Sequence, residues 1–375
     1  MPDRVLFLHS SAGLYGADLQ LAALACGLRA RGRRVTVALP ERGELAGRLE
    51  AGGAEVAAVP LAVLRRRGLT PTGIAGLAAD ARAQRAALAE LAADASIIHS
   101  NTSVVLGGGR AAAAADIPHV IHVREIYEGA AGWLGAAAWP VMRRRLMLAD
   151  ARICVSAAVA VQFDPAATHV VHDGVTRPGA PPRPRERDAP FTVAVLGRIA
   201  DWKGQDVLAH ALADPALADI GAVGLVAGDI YPGESDAPRR ALQDLAARLA
   251  LGDRLRLLGF TDAAGVIAAA DVVVVPSIRP DPFPNSALEA LAAGRPVVAA
   301  ASGGLPEMIR DGETGLLVVP GDPAALARAL RRLADDDELR TRMGAAAAAD
   351  AAARFTVERM LDGVEAVYGE VAVRR

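Results

Sequence analysis

The chain has 375 residues, with 41 Lys and Arg against 43 Asp and Glu and a net charge of −2. That is enough length for two domains with their own cores, and too little charge to draw the chain to nucleic acid or an anionic membrane. Two cysteines, Cys26 and Cys154, exclude a disulfide framework, and with no run of 18 apolar residues and no signal-peptide pattern after Met1 the expectation is a cytoplasmic protein.

Arg4 to His9 predicts a first strand, Ser10 to Gly16 a loop with glycine at 13 and 16, and Ala17 to Arg31 a helix. The helix sets Leu21, Leu24 and Leu28 on one face and stops at Gly32. Arg34 to Pro40 predicts a second strand, so the chain opens as a βαβ unit with a glycine-bearing turn. After a stretch of helices and short strands that includes Arg65-Arg66-Arg67, Ser96 to His99 reads as a buried strand. It ends in the polar group Ser100-Asn101-Thr102-Ser103. Ile117 to Val123 is a further strand, ending in His122-Val123-Arg124-Glu125. Among the histidines His122 is the first candidate for function, His99 the next, and His119 reads as structural. Trp133, Trp139 and Arg143-Arg144-Arg145 read as a solvated helical face, with a weak peripheral membrane contact as the second reading. Ala151 to Ser156 predicts a strand, and Arg177 to Pro190, with five prolines and no apolar period, a linker.

The second half repeats the pattern. Phe191 to Leu196 predicts a strand, followed by Gly197-Arg198 and Lys203-Gly204 ahead of a helix from about Gln205. The spacing is not a P-loop, since no glycine precedes Lys203 and no Ser or Thr follows it. Cations at a helix start oppose its dipole unless an anion lies between them. Lys203 is also the single lysine among the basic residues, and a compact ammonium can do at a crowded phosphate what a planar guanidinium cannot. Val223 to Gly228, Leu255 to Leu258 and Asp271 to Pro276 predict further parallel strands. The last leads into Asp281-Pro-Phe-Pro-Asn-Ser-Ala-Leu-Glu289, a proline elbow and an Asn/Ser-started helix that stops at Gly294. A strand end meeting a helix start offers free N–H groups to a pyrophosphate, and Asp281 and Glu289 at its two ends suit hydroxyls of a sugar and a ribose. Thr314 to Val319 predicts a strand, and Ala324 to Leu333 and Phe355 to Val371 predict helices. Asp335-Asp336-Asp337-Glu338 reads as a solvated turn rather than a metal site.

The acid-x7-acid segment, continued by Ala290-Leu-Ala-Ala-Gly-Arg-Pro-Val-Val-Ala299, resembles the signature of the GT4 (group 1) retaining glycosyltransferases. The usual segment begins Glu-Pro-Phe-Gly; this one carries Asp281 and Pro284, a shorter acid and one N–H donor fewer. The resemblance implies an α/β chain of the GT-B fold, two Rossmann-like domains facing across a cleft. They would be an acceptor-side domain over 1–176, a linker over 177–190, a nucleotide-sugar domain over 191–355, and a helix over 356–375 packing back on the first domain. It makes His122, Arg198, Lys203 and Asp281 the candidate catalytic residues. Arg198 and Lys203 would hold the donor diphosphate, His122 would contact the transferred sugar and Asp281 its hydroxyls. Donor binding would further involve Gly13, Gly16 and Gly197 by close backbone approach and Phe260 at the shelf that meets the base. Asn285, Ser286 and Ala287 would take part at the helix start, with Glu289 on the ribose. The implied reaction moves a hexosyl group from a nucleoside-diphosphate sugar, a UDP-sugar first, to a hydroxyl of a glycan, lipid-linked or small natural-product acceptor. It would proceed with retention and without metal or cofactor. A nucleotide-sugar 2-epimerase or hydrolase of the same fold and a catalytically idle binding subunit stay open as alternatives, as does the oligomeric state.

Overall fold

Short β-branched runs alternate with Ala- and Leu-rich helices, and strands buried along their whole length need helices on both sheet faces. The computed structural model describes residues 2–64, 71–127, 133–176, 189–231 and 234–374, and Arg65-Arg66-Arg67 and positions 177–188 of the predicted linker lie outside them. The chain divides into two units: Met1–Gly174 with Val357–Arg375, and Val175–Thr356. The divisions thus fall two residues before and one residue after the predicted ends at 176 and 355. Both ends of the second unit are joined to each other, because Val175 pairs with Thr356 in a parallel bridge and its N–H donates to the Phe355 carbonyl at 2.9 Å.

Among the described residues the first unit has seven strands: β1 (Arg4–Leu8), β2 (Arg34–Leu39), β3 (Glu55–Ala58), β4 (Ile97–Ser100), β5 (His119–Val123), β6 (Ala151–Cys154) and β7 (Thr168–Val170). All pair in parallel, in the order β3-β2-β1-β4-β5-β6-β7. The described residues of the second form six: β8 (Thr192–Leu196), β9 (Val223–Ala227), β10 (Leu255–Gly259), β11 (Val272–Val275), β12 (Val297–Ala300) and β13 (Gly315–Val318). Their order is β10-β9-β8-β11-β12-β13, again parallel throughout. Each order reverses once, between β1 and β4 and between β8 and β11. In such sheets the crevice at the carboxyl ends of the two strands flanking the reversal is where ligands bind.

Two helices meet in one of the first unit's apolar clusters. Leu21, Leu24 and Leu28 of the helix Gly16–Ala30 are wholly buried, in one cluster with Val364, Val367 and Tyr368 of the helix Val357–Val373. Gly27 permits the approach, since a Cβ there would stand 2.6 Å from Leu361 Cδ1. In the second unit the helix Asp337–Arg354 was not anticipated, because the run of alanines from 345 to 349 carries no Leu-like period. It packs through Met343, Ala347 and Ala351, and Gly344 lies so close to Gly294 that a Cβ would come 2.3 Å from its carbonyl oxygen.

Candidate active site

The reversal of the second sheet brings two loops together. The loop after β8 begins with Gly197 at φ 135° and ends with Gly204 at φ 76°, both in the region that favours glycine. At Gly204 the chain runs under the end of β11: a Cβ would lie 2.0 Å from the Pro276 carbonyl oxygen. This contact aims Lys203 at the loop that follows β11. Its Nζ donates to Asp281 Oδ2 at 2.6 Å, where Ser277 Oγ also donates at 3.2 Å, and it lies 4.3 Å from the centre of the Trp202 ring. Asp281 is 4% exposed. Its backbone is held from the other side by Gly303 at φ 63°, whose missing Cβ would meet the Asp281 carbonyl at 2.2 Å, and by the Gly304 N–H donating to that carbonyl at 2.8 Å. The two residues predicted to touch opposite ends of a donor, the diphosphate lysine and the sugar-holding acid, are therefore bonded to each other.

Arg198 lies half-buried on the same loop, and its guanidinium has no hydrogen bond or ion pair among the described residues. The helix Asn285–Ala292 starts one residue earlier than an Asn cap would place it. Pro284 is the N-cap and provides no side-chain acceptor, so the helix start lacks the usual side-chain satisfaction of its N–H groups. Ala287 differs from its predicted role, because its N–H donates to the Pro284 carbonyl at 3.1 Å within the first turn. One turn on, the Glu289 carboxylate has no hydrogen-bond partner among the described residues, and burial together with the nearby Asp262 charge pushes its carboxyl up to about 6. Gly259 takes φ 65°, and Phe260 behind it, at the carboxyl end of β10, is 62% exposed.

In the first unit, His122 is wholly buried on β5, and neither ring nitrogen has a partner. Burial foremost, then the Arg124 charge and the neighbouring His99, hold its pKa well below the ordinary histidine value. The His99 ring centre lies 5.4 Å from that of His122, and His99 Nδ1 is 2.6 Å from the Tyr368 hydroxyl. His119 instead meets Ser100 Oγ at 3.0 Å. At the ends of β4 and β5, Asn101 Oδ1, Thr102 Oγ1 and the Nε and Nη2 of Arg124 are also buried without partners. Buried polar groups are nearly always bonded, so this many orphans in one place point to an absent ligand. Arg124 Nη1 donates to both carboxylate oxygens of Asp173, at 2.8 and 2.6 Å, which ties the end of β5 to the turn 172–176. Gly13 and Gly16 sit on the loop after β1 and at the start of the helix that follows. Sequence reading missed the side chains that hold this loop, His9 and Asp18, since a histidine at a strand end and an aspartate in a first turn carry no spacing signal on their own.

Of the residues read as a solvated helical face, with a weak membrane contact as the second reading, Trp139, Arg143 and Arg145 are engaged within the unit, and the Trp133 side chain lies outside the described residues. Trp139 stacks on Tyr127 at 5.2 Å, Arg143 donates to the Gln162 carbonyl at 3.0 Å, and Arg145 donates to the carbonyls of Ser103 and Val105. No described helix is long and apolar enough to cross a membrane. Among the described residues no three His, Cys, Asp or Glu side chains gather as a metal-ligand set.

Two parallel Rossmann-like sheets, each with polar groups at its reversal, define the GT-B class of fold. The chain belongs to the group 1 glycosyltransferases, family 4: the family description "Glycosyl transferases group 1" matches residues 178–350, and "Glycosyltransferase Family 4" matches residues 15–176. Among curated relatives it is similar to the D-inositol 3-phosphate glycosyltransferase of Streptomyces griseus, 42% identical over an alignment of 219 positions, gaps included, that covers 50% of this chain and 46% of that protein. The protein of the same name from Corynebacterium diphtheriae is 39% identical over 184 residues, 48% of this chain and 43% of its own length. The match thus spans less than half the length of these relatives. Among solved structures, Anabaena HepE in complex with UDP-glucose superposes with a TM-score of 0.81 and 26% identity, covering 98% of this chain and 99% of that one. Sucrose-phosphate synthase from Thermosynechococcus elongatus shares the fold, with a TM-score of 0.81 and 24% identity over 99% of this chain and 100% of its own.

Proposed function

We propose that the chain is a retaining hexosyltransferase that takes a sugar from a nucleoside diphosphate, UDP first, and passes it to an acceptor hydroxyl. The observation that carries this reading is the second unit's reversal point, where an unpartnered half-buried Arg198, the Lys203–Asp281 pair and a helix start without a side-chain cap share two adjoining loops. Cations and N–H groups placed there would stabilise the charge that builds on the β-phosphate as the glycosidic bond breaks, the largest single source of catalysis in such reactions. Glu289, partnerless and desolvated, suits ribose hydroxyls, which would supply the hydrogen bonds its carboxylate lacks. UDP is favoured because HepE, similar over nearly the whole chain, was solved with UDP-glucose. His122, neutral and with both nitrogens free, would bond a hydroxyl of the transferred sugar. Among the described residues no side chain is placed as a nucleophile, so the reading has the leaving phosphate take the acceptor proton, without metal or cofactor and in the cytoplasm.

The test is a thermal-shift panel of nucleoside diphosphates and their sugars, followed by UDP release from UDP-glucose with glycan and inositol phosphate acceptors. UDP-dependent stabilisation and acceptor-dependent UDP release are expected. Conversion of the sugar nucleotide with no acceptor present would make the chain an epimerase or hydrolase instead, and tight UDP binding without release would make it a binding subunit.

A further inference from the structure

The reversal of the first sheet is built around a buried carboxylate that the reaction scheme does not use. His9 follows β1 and is wholly buried, and Asp18 in the first turn of the helix Gly16–Ala30 is 1% exposed. His9 Nε2 stands 2.7 Å from Asp18 Oδ1. Ser11 Oγ donates to the same oxygen at 2.5 Å, and the Tyr15 N–H donates to Oδ2 at 2.8 Å. On the other side of the ring, Asn101 Nδ2, at the end of β4, lies 3.2 Å from His9 Nδ1. An amide NH2 only donates, so Nδ1 accepts and the ring proton sits on Nε2, facing the carboxylate. Burial by itself raises the Asp18 carboxyl, but the bonds from His9 and Ser11 and the Tyr15 N–H outweigh it and hold the group below the usual carboxylate range.

Serine, histidine and aspartate together invite comparison with a nucleophilic triad, and the connectivity excludes one. A triad places the imidazole between hydroxyl and carboxylate. Here the carboxylate is the hub and Ser11 donates to it. The longer 3.4 Å approach of Ser11 Oγ to His9 Nε2 meets a nitrogen whose proton already points at Asp18. What the hub does is join residues 9, 11 and 15, spanning the loop that follows β1, and through His9 the loop that follows β4. The middle of the first loop is pinned from outside, where the Ala12 carbonyl accepts the Leu45 N–H at 3.1 Å. Gly43 leaves room for that carbonyl, as a Cβ would come within 2.4 Å of it. Gly13 and Leu14 are left at the tip, Leu14 40% exposed.

We propose that Asp18, acting through His9, Ser11 and the Tyr15 N–H, is the positioning residue that fixes the backbone of loop 10–15 so that its glycine tip can approach the donor diphosphate. The proposal rests on the reading above that this loop meets the donor. A carboxylate can accept all three donors at once, whereas an amide in its place must turn an NH2 toward one of them.

The experiment compares the full chain with Asp18→Asn and Ser11→Ala. It reads hydrogen exchange of the Tyr15 amide and of helix amides 19–30, equilibrium UDP affinity, and kcat with UDP-glucose. For Asp18→Asn the Tyr15 amide should exchange at least about tenfold faster with the helix unchanged. Its kcat should fall on the order of 100-fold, the scale expected when a reacting group is misplaced by an ångström. UDP affinity should fall with it, by about tenfold, because the displaced tip is what meets the diphosphate, and Ser11→Ala should fall between wild type and Asp18→Asn in exchange, affinity and kcat. The proposal is overturned if Asp18→Asn leaves Tyr15 exchange unchanged. It is equally overturned if helix exchange and thermal stability collapse while Ser11→Ala behaves as wild type, which would make Asp18 a core residue only. If the wild type releases no UDP with any acceptor, the donor reading fails, and Tyr15 exchange alone then decides whether the clamp exists.

Discussion

Lys203 and Asp281, 78 residues apart in sequence, share a hydrogen bond of 2.6 Å at the reversal of the second sheet, with the lysine one-fifth exposed and the carboxylate buried. A lysine paired with a buried acid is held where an incoming diphosphate must compete for it. Part of Asp281's contribution is thus to aim Lys203.

Removing the lysine alone strands the carboxylate, so Lys203→Ala should lose kcat by about 100-fold and also lose about 2 kcal/mol of stability. The double variant Lys203→Ala/Asp281→Ala should recover most of that stability and none of the turnover. Denaturant midpoints and UDP-release rates for the four proteins of the cycle check this. Recovery of activity in the double variant would remove Lys203 from the chemistry.

Glu289 gives a pH prediction whose direction follows from its raised pKa. The folded state holds the proton more tightly than the unfolded state, so the stability contributed near pH 4.5 is lost as pH rises through about 6. Glu289→Gln should therefore stabilise the free protein at pH 7 by something on the order of 2 kcal/mol. The same change should weaken UDP binding by about tenfold or more and abolish the fall in wild-type affinity expected as pH drops below 6. Calorimetry at pH 5 and 7 measures both, and a variant that binds UDP as the wild type does would take Glu289 off the ribose.

Two glycines separate strain from collision. Gly312 has φ 77° with nothing within 4 Å of a Cβ, and Gly204 has φ 76° with the Pro276 carbonyl at 2.0 Å. Gly312→Ala should cost roughly 1–2 kcal/mol, and Gly204→Ala several kilocalories per mole more, with loss of the Lys203–Asp281 bond. Equal unfolding midpoints for the two would show that the close approach at Gly204 is relieved without consequence.

Buried histidines make the first unit sensitive to acid. Burial depresses His99 and His122 well below the usual value and His119 to about 4, with the Arg124 charge adding to the first two and that of Arg145 to the third. These groups take up protons below pH 6.5 only on unfolding, so stability is complete above that pH and lost below it. With three protons the slope approaches about 4 kcal/mol per pH unit, reduced by Glu125, whose raised pKa acts in the opposite direction. Denaturant midpoints at pH 7, 6 and 5 should fall steeply. A flat series would mean that the rings are hydrated and titrate freely.

Most strands of the two sheets were legible in the sequence because fully buried parallel strands are short apolar runs that end in polar residues, as at Ser100 and His122, whereas β3 was given no range and β7 and β12 were not assigned. The Arg198–Lys203 and Asp281–Glu289 segments could be placed on the same sheet edge because each follows such a run. What could not be read was pairing. Nothing in the spacing says that Lys203 bonds Asp281, that Ala287 turns its N–H to Pro284, or that Asp18 gathers His9, Ser11 and Tyr15, since these depend on which loops the sheet order makes neighbours. The helix Asp337–Arg354 was invisible for a different reason: alanines against glycine pack by closeness, not by a stripe of large side chains.

The helix Val357–Val373 lends Met360, Leu361, Val364, Val367, Tyr368 and Val371 to a core whose other buried members lie before residue 175. On a ribosome the first unit would therefore emerge first and close last. Its apolar groove must wait while residues 175–356 appear and fold on their own contacts. Nascent chains halted near residue 356 should expose that groove to chaperones, and chains released after the helix Val357–Val373 is complete should not.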